Sequence, residues 1–308
     1  MGTLISVIET ALPVFLALGL GTLCRQRSFL SRDNVDALKK VVLNITLPAV
    51  LLNAFASAEY SASTLILPVL VFLLCCGALG LGFLLLRLFG SKSRLAPFTA
   101  SGFEAGMLGY ALFTLLFPQV SVSKFAILDL GQTLFVFTLF KILLSGRTDV
   151  KSILKDMAST PILWAVAAGV LIGVTGLYGA LADWGIQGIF TGTAEFIAAP
   201  TGMVILLTVG YDLVPSRIPW KKTGGLILLR LVIMAAVYGV TVLLNRTLLN
   251  GIIFEGAMLL MCILPPPYVI PVFADEPAER VQISSALSAL TLVTMILFAV
   301  CTVLYQIF

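Results

Sequence analysis

Residues 264–273 read LPPPYVIPVF and set four prolines, Pro265, Pro266, Pro267 and Pro271, inside an otherwise apolar stretch. An internal proline lacks a backbone donor and clashes with the carbonyl one turn back, so no continuous helix runs through here. Backbone broken at membrane depth is tolerated only where it is buried in protein or lines a watery cavity, because lipid offers no partners to the freed groups. If the surrounding chain spans a membrane, this break is a candidate binding site.

Composition says that it does. Of 308 residues, 59% are hydrophobic and 11% charged, and the mean hydropathy is +1.09, whereas soluble domains carry about a quarter charged residues. Apolar segments of about 20 residues, enough for a hydrocarbon core of about 30 Å, recur along the chain. Ten spans are expected, at residues 5–24, 36–56, 64–88, 97–118, 123–145, 160–177, 190–212, 222–245, 252–273 and 280–305, with no stretch left over for a soluble domain. The first begins near Ile5 with no cationic stretch or small-residue cleavage site and reads as a true span. Sixteen cations fall in the connections after odd-numbered spans and two, Lys124 and Arg246, in the others. The positive-inside rule makes the odd connections cytoplasmic and puts both termini outside the cytoplasm, in a multi-pass cell-membrane protein. This asymmetry accounts for the net charge of +4 without nucleic acid. The five cysteines lack metal-ligand spacing and read as small apolar filler. Histidine is absent, so any proton chemistry rests on carboxylates.

The chain repeats itself. Residues 103–108 read FEAGML and residues 254–259 read FEGAML; in nearly the same register Pro48 meets Pro200 and Pro13 meets Pro161. Two copies of five spans, residues 1–150 and 151–308, must have opposite orientations because five is odd, which is the inverted-repeat plan of many secondary transporters. The expected fold is all-α: ten transmembrane helices as two inverted five-helix repeats, with broken helices 4 and 9 crossing near mid-membrane. Residues 141–160 join the copies and carry no further role.

Few residues in these spans can do chemistry. Gly102, Gly106 and Gly109 weaken the fourth span and admit a second backbone; small-residue packing is the bland reading. Glu104 and Glu255 stand at equivalent places before the two breaks. A carboxylate inside a span faces protein or water or carries a proton, and the bland reading for Glu255 is an interfacial acid near Arg246. Asp129 and Gln132 share a helix face in the fifth span, and Asp129 is the second candidate for coupling or support. Asn44, Pro48 and Asn53 kink the second span, and Glu195, Pro200, Thr201 and Gly202 do so in the seventh, where a scaffold bend is the simpler reading. Arg230, inside the eighth span, either snorkels to the interface or pairs with a buried carboxylate, and the sequence leaves both open. The substrate and coupling group is therefore Glu104, Gly106, Gly109, Asp129, Gln132, Glu255, Pro265, Pro266 and Pro267.

LPPPYVIPVFADE resembles the ninth-span signature of auxin efflux carriers and their bacterial relatives, the AEC family of the bile acid/auxin transporter superfamily. GFEAGMLGYALF resembles that family's glycine-rich fourth-span motif, and NITLPAVLLNAF its second span; the similarity covers all ten spans. The resemblance implies a scaffold of spans one, two, six and seven, often the contact of a homodimer. Spans three to five and eight to ten form a transport domain that moves against it in an elevator-like manner, with substrate where spans four and nine cross. Plant auxin carriers have an asparagine, which contacts the substrate carboxylate, where Glu104 stands, and a proline where Ala111 stands, so auxin itself does not carry over.

The functional expectation is a secondary transporter of a small organic solute, carboxylate- or amino-containing, not an enzyme, with no cofactor beyond a coupling ion. Glu104 either is protonated and donates a hydrogen bond or is ionised and faces a cation or amino group, which makes proton coupling one variant. Sodium bound by carbonyls freed at the breaks is the other. A non-transporting sensor is a further alternative. An intramembrane hydrolase needs facing aspartates, and Asp129 has no counterpart in the second copy.

Overall fold

A computed structural model describes residues 2–58, 60–61, 64–91, 93–146, 155, 158–214, 218–273 and 276–307. Four of the cations used for orientation, Lys92, Arg147, Lys151 and Arg217, lie outside the described residues, as does half of the expected link at residues 141–160. Among the described residues there is helix and no strand. Helix α1 spans Gly2–Gln26, and α2 (Arg32–Val41) starts at Ser31, whose hydroxyl and Asn34 form a reciprocal cap. A π-helical turn, Val42–Thr46, carries α2 into α3 (Leu47–Ala56), followed by α4 (Ile66–Leu88). The glycine-rich segment is a 3-10 turn Ala96–Ala100, an irregular stretch, a π-turn Ala105–Gly109 and α5 (Tyr110–Leu116). Helix α6 (Ser123–Phe135) passes through a second such turn, Val136–Phe140, into α7 (Lys141–Ser145). Then come α8 (Pro161–Val174), α9 (Leu177–Asp183), α10 (Gln187–Ala198), α11 (Thr201–Asp212) and α12 (Trp220–Thr247). The proline-rich segment is α13 (Glu255–Ile263), an irregular stretch and a 3-10 turn Ile270–Phe273, before α14 (Pro277–Ile307).

Among the described residues, five helical segments are long and apolar enough to cross a membrane: Ile66–Leu88, Ser123–Ser145, Gln187–Asp212, Thr223–Thr247 and Pro277–Tyr305. A sixth results if α8 and α9, bent by 65°, count as one. Of the other expected spans, the first lies within the single helix α1, whereas the second, fourth and ninth are built from shorter pieces, divided by a π-turn, a glycine-rich stretch and consecutive prolines. Helix α9 and the first turn of α10 lie where the sequence reading expects a connection; Gly176, at a φ of 73°, makes the corner between α8 and α9.

Two packing groups frame the molecule. In one, α1 lies along α11, and α3 along α8 and α10. The α1–α11 contact is close enough that a Cβ on Gly21 would stand 2.0 Å from the Leu207 carbonyl oxygen, and one on Gly210 2.1 Å from that of Leu18. Without a hydrophobic drive between helices in lipid, such backbone approach supplies the van der Waals contact that joins them. In the other group, α4 packs on α6, and α12 on α13, α14 and the Ala96–Ala100 turn. The kink residues belong to the first group: Pro48 opens α3, Asn44 Nδ2 donates to the Lys40 carbonyl at 2.7 Å, and Pro200 separates α10 from α11.

Candidate functional site

The two broken segments meet. At both, interruption leaves backbone groups without helical partners, and each must be matched elsewhere. The Glu104 N–H donates directly to the Pro265 carbonyl at 2.8 Å, tying one break to the other. The Phe103 N–H and carbonyl are both taken by the side-chain amide of Gln132 on α6, at 3.4 and 2.5 Å, so that Gln132 imitates a neighbouring strand. Ser101 Oγ donates to the Cys75 carbonyl on α4 at 2.6 Å. On the proline side, Thr294 Oγ1 of α14 donates to the Ile263 carbonyl at 2.6 Å, and the Tyr268 and Thr291 hydroxyls lie 2.9 Å apart.

Glu104 sits at the centre of this junction, half-buried. Its Oε2 accepts from the Tyr268 N–H at 2.7 Å and its Oε1 from the Met107 N–H at 3.3 Å. The carboxylate thus caps the start of the Ala105–Gly109 turn and reaches across to the other break, at ends where exposed N–H groups attract negative charge. Gly102 makes the approach feasible: its φ is +70°, and a Cβ there would stand 3.0 Å from Cγ and Cδ of Pro267. Gly109 faces Phe125 and Leu264, and Gly106 faces Leu47 of α3. Pro265, Pro266 and Pro267 are buried.

Arg230 adopts neither arrangement that the sequence leaves open. At 2% exposure it reaches the junction from α12 and donates to carbonyls. Nη1 donates to Thr99 at 2.9 Å, Nη2 to Gly102 and Leu264 at 2.8 Å each, and Nε to Leu264 at 3.2 Å. The sequence signal was a guanidinium deep in an apolar span; the partners, being main chain, carried no signature.

Asp129, 4% exposed, accepts from the Tyr110 hydroxyl at 2.9 Å. Glu255 stands apart from the junction. It heads α13 and is held by Asn245 Nδ2 at 3.1 Å and by Arg246 Nη2 and Nε at 3.2 and 3.3 Å. The two glutamates of the repeated hexapeptide thus have different surroundings, because Arg246 stands beside one and backbone N–H groups beside the other. Lys124 approaches the Phe254 ring, 5.9 Å from its centroid.

Two cavities lie near these segments, one at the junction and one beside α5. One of about 500 Å³ is lined by Met107 and Tyr268, which flank Glu104, by Ser288 and Thr291 of α14, and by Lys39 and Asp212 of the first packing group. Asp212 pairs with Lys39 at 2.5 Å and with Arg32. The other, of about 690 Å³, lies between Tyr110 and Thr114 of α5 and the kink residues Asn53, Glu195 and Thr201. Asn53 Oδ1 and Thr201 Oγ1 are buried without a protein partner.

Over 211 residues, covering 66% of this chain and 68% of the relative, the sequence is 26% identical to an uncharacterized transporter of Methanothermobacter thermautotrophicus. No family model matches the sequence. This likeness and the apolar helical architecture support a multi-pass membrane protein that is a transporter in the general sense.

Proposed function

We propose that the protein is a secondary active transporter of a small organic solute, working by elevator-like alternating access, with the solute held at the crossing of spans four and nine. The observation that carries this reading is the direct bond between the two broken segments, Glu104 N–H to Pro265 carbonyl, with a cavity beside it that Met107 and Tyr268 line. Irregular backbone that lines cavities is the form transporter sites take inside a membrane. In this reading ten spans form two inverted repeats in the cell membrane with both termini outside the cytoplasm. Spans one, two, six and seven are the scaffold and the homodimer contact; spans three to five and eight to ten are the moving domain. This is the arrangement of the auxin efflux carrier family that the span-nine and span-four motifs resemble.

Glu104 is the coupling residue. Its carboxylate already occupies the N–H groups that an anionic solute would use at these helix ends, so the solute contributes a donor, an amino or hydroxyl group, to the remaining lone pairs. A proton on Glu104 cancels its negative charge and takes up one of those lone pairs, which weakens the hold on the solute and favours its release. Asp129, held by Tyr110, and Gln132 support the junction, and the Lys39–Asp212 cavity opens to the cytoplasm on the expected orientation.

The test is flux into proteoliposomes for a panel of amines, amino acids and carboxylates across pH, in the native protein and in Glu104→Gln. Flux of an amino-containing solute that follows the proton gradient, and loses that dependence in Glu104→Gln, supports the reading. Unchanged pH dependence in the variant removes the role of Glu104. A ligand that raises the melting temperature but never crosses the bilayer points to a sensor instead.

A further inference from the structure

The sharpest unexplained feature at the crossing is Arg230. A guanidinium is expensive to bury, and deep in membrane proteins such a charge pairs with a carboxylate or with backbone carbonyls, or lines water. Here, at 2% exposure, no carboxylate among the described residues is bonded to it, and four N–H bonds run to main-chain oxygens instead. Two of those oxygens, Thr99 and Gly102, belong to the first break, and the third, Leu264, is the residue that ends α13. Helix ends with unpaired carbonyls are negative poles that attract cations. Three carbonyls converging from two broken segments also form the kind of hard-oxygen cluster that binds a small metal cation in interrupted transport helices.

We propose that Arg230 is a tethered cation: its guanidinium permanently fills the carbonyl cluster where a coupling sodium ion would bind, and it makes the carrier independent of sodium. Arginine suits this role because its planar fork reaches all three oxygens at once and stays charged at any physiological pH. The positive charge then belongs to α12 and never leaves the junction, so binding and release of a metal ion cannot drive the transport cycle. Gly102 takes part through its backbone: its φ of +70° accompanies a carbonyl bonded to Nη2. The inference rests on reading the crossing as the solute site, and it removes the sodium variant of that reading for this protein.

The experiment measures melting in detergent, not flux, so it stands apart from whether any solute is found. The native protein is melted in about 100 mM sodium, potassium and choline chloride at equal ionic strength; a sodium site with a dissociation constant of about 1 mM would raise its melting temperature by several degrees. The expected result is the same melting temperature in all three salts. Arg230→Ala is then melted with millimolar guanidinium or methylguanidinium chloride, with choline chloride as control. The expected result is a lowered melting temperature that guanidinium raises in the variant and not in the native protein, with Arg230→Lys intermediate. Sodium-specific stabilisation of the native protein, or equal effects of guanidinium and choline on the variant, overturns the proposal. Should Arg230→Ala fail to fold, the native salt series and Arg230→Lys decide it. A sodium-dependent native protein would leave the transporter reading intact, and a protein that moves nothing across a bilayer would leave the tethered cation intact.

Discussion

Replacing Gly102 by alanine probes the junction with one carbon atom. Two costs add. A non-glycine residue at a φ of +70° is strained by about 1–2 kcal/mol in the left-handed region. The new Cβ also stands 3.0 Å from both Cγ and Cδ of Pro267, and the ring of a buried proline that follows two others has little room to turn away, which puts the overpacking cost at about 1–3 kcal/mol. The sum, roughly 2–5 kcal/mol, corresponds in a chain of 308 residues to a fall in apparent melting temperature of roughly 3–8 °C. Gly106→Ala is the control: its Cβ would lie 3.4 Å from the far end of the flexible Leu47 side chain, and its φ is ordinary. It is expected to melt within a degree or two of the native protein, or slightly above it, since alanine is less free than glycine in the unfolded chain. Melting of the purified variants, followed by thiol-reactive or intrinsic fluorescence, checks both. If Gly102→Ala melts with the native protein, or Gly106→Ala falls as far, the two breaks do not meet at Pro267 and the argument from the junction fails.

Tyr110→Phe deprives the buried Asp129 of one of its hydroxyl donors, the other being Thr133, and should cost about 1–2 kcal/mol. A double-mutant cycle with Asp129→Asn should show that the two effects are not additive, and additivity would refute the pairing. Asp212→Asn removes partners from Arg32 and Lys39, but the pairs are partly exposed, so the loss should stay below about 1 kcal/mol and shrink as salt is raised. Gly210→Ala, whose Cβ would stand 2.1 Å from the Leu18 carbonyl oxygen, should force α1 and α11 apart; gel filtration should find little monodisperse protein. Gln132→Leu strips partners from both the N–H and the carbonyl of Phe103, and should lower the melting temperature more than Gln132→Glu, which keeps an acceptor for the N–H.

What the sequence by itself determined is where regular structure must fail and where charge is costly. Consecutive prolines at 265–267 remove donors whatever surrounds them, glycines near 102–109 loosen a span, and Glu104 and Arg230 stand out against apolar neighbours. Those are local properties, and they sufficed to mark the two segments and to relate them through the repeated hexapeptide. The tertiary structure decided who answers the freed backbone. Gln132 reaches Phe103 across 29 residues, Arg230 reaches Gly102 across 128, and Glu104 reaches the Tyr268 N–H across 164. It also separated Glu255 from its sequence twin, since the nearby Arg246 and Asn245 supply partners that Glu104 lacks. A missing backbone donor is written in the residue that lacks it, but its replacement comes from whichever side chain packing brings near, and main-chain acceptors look alike in any sequence.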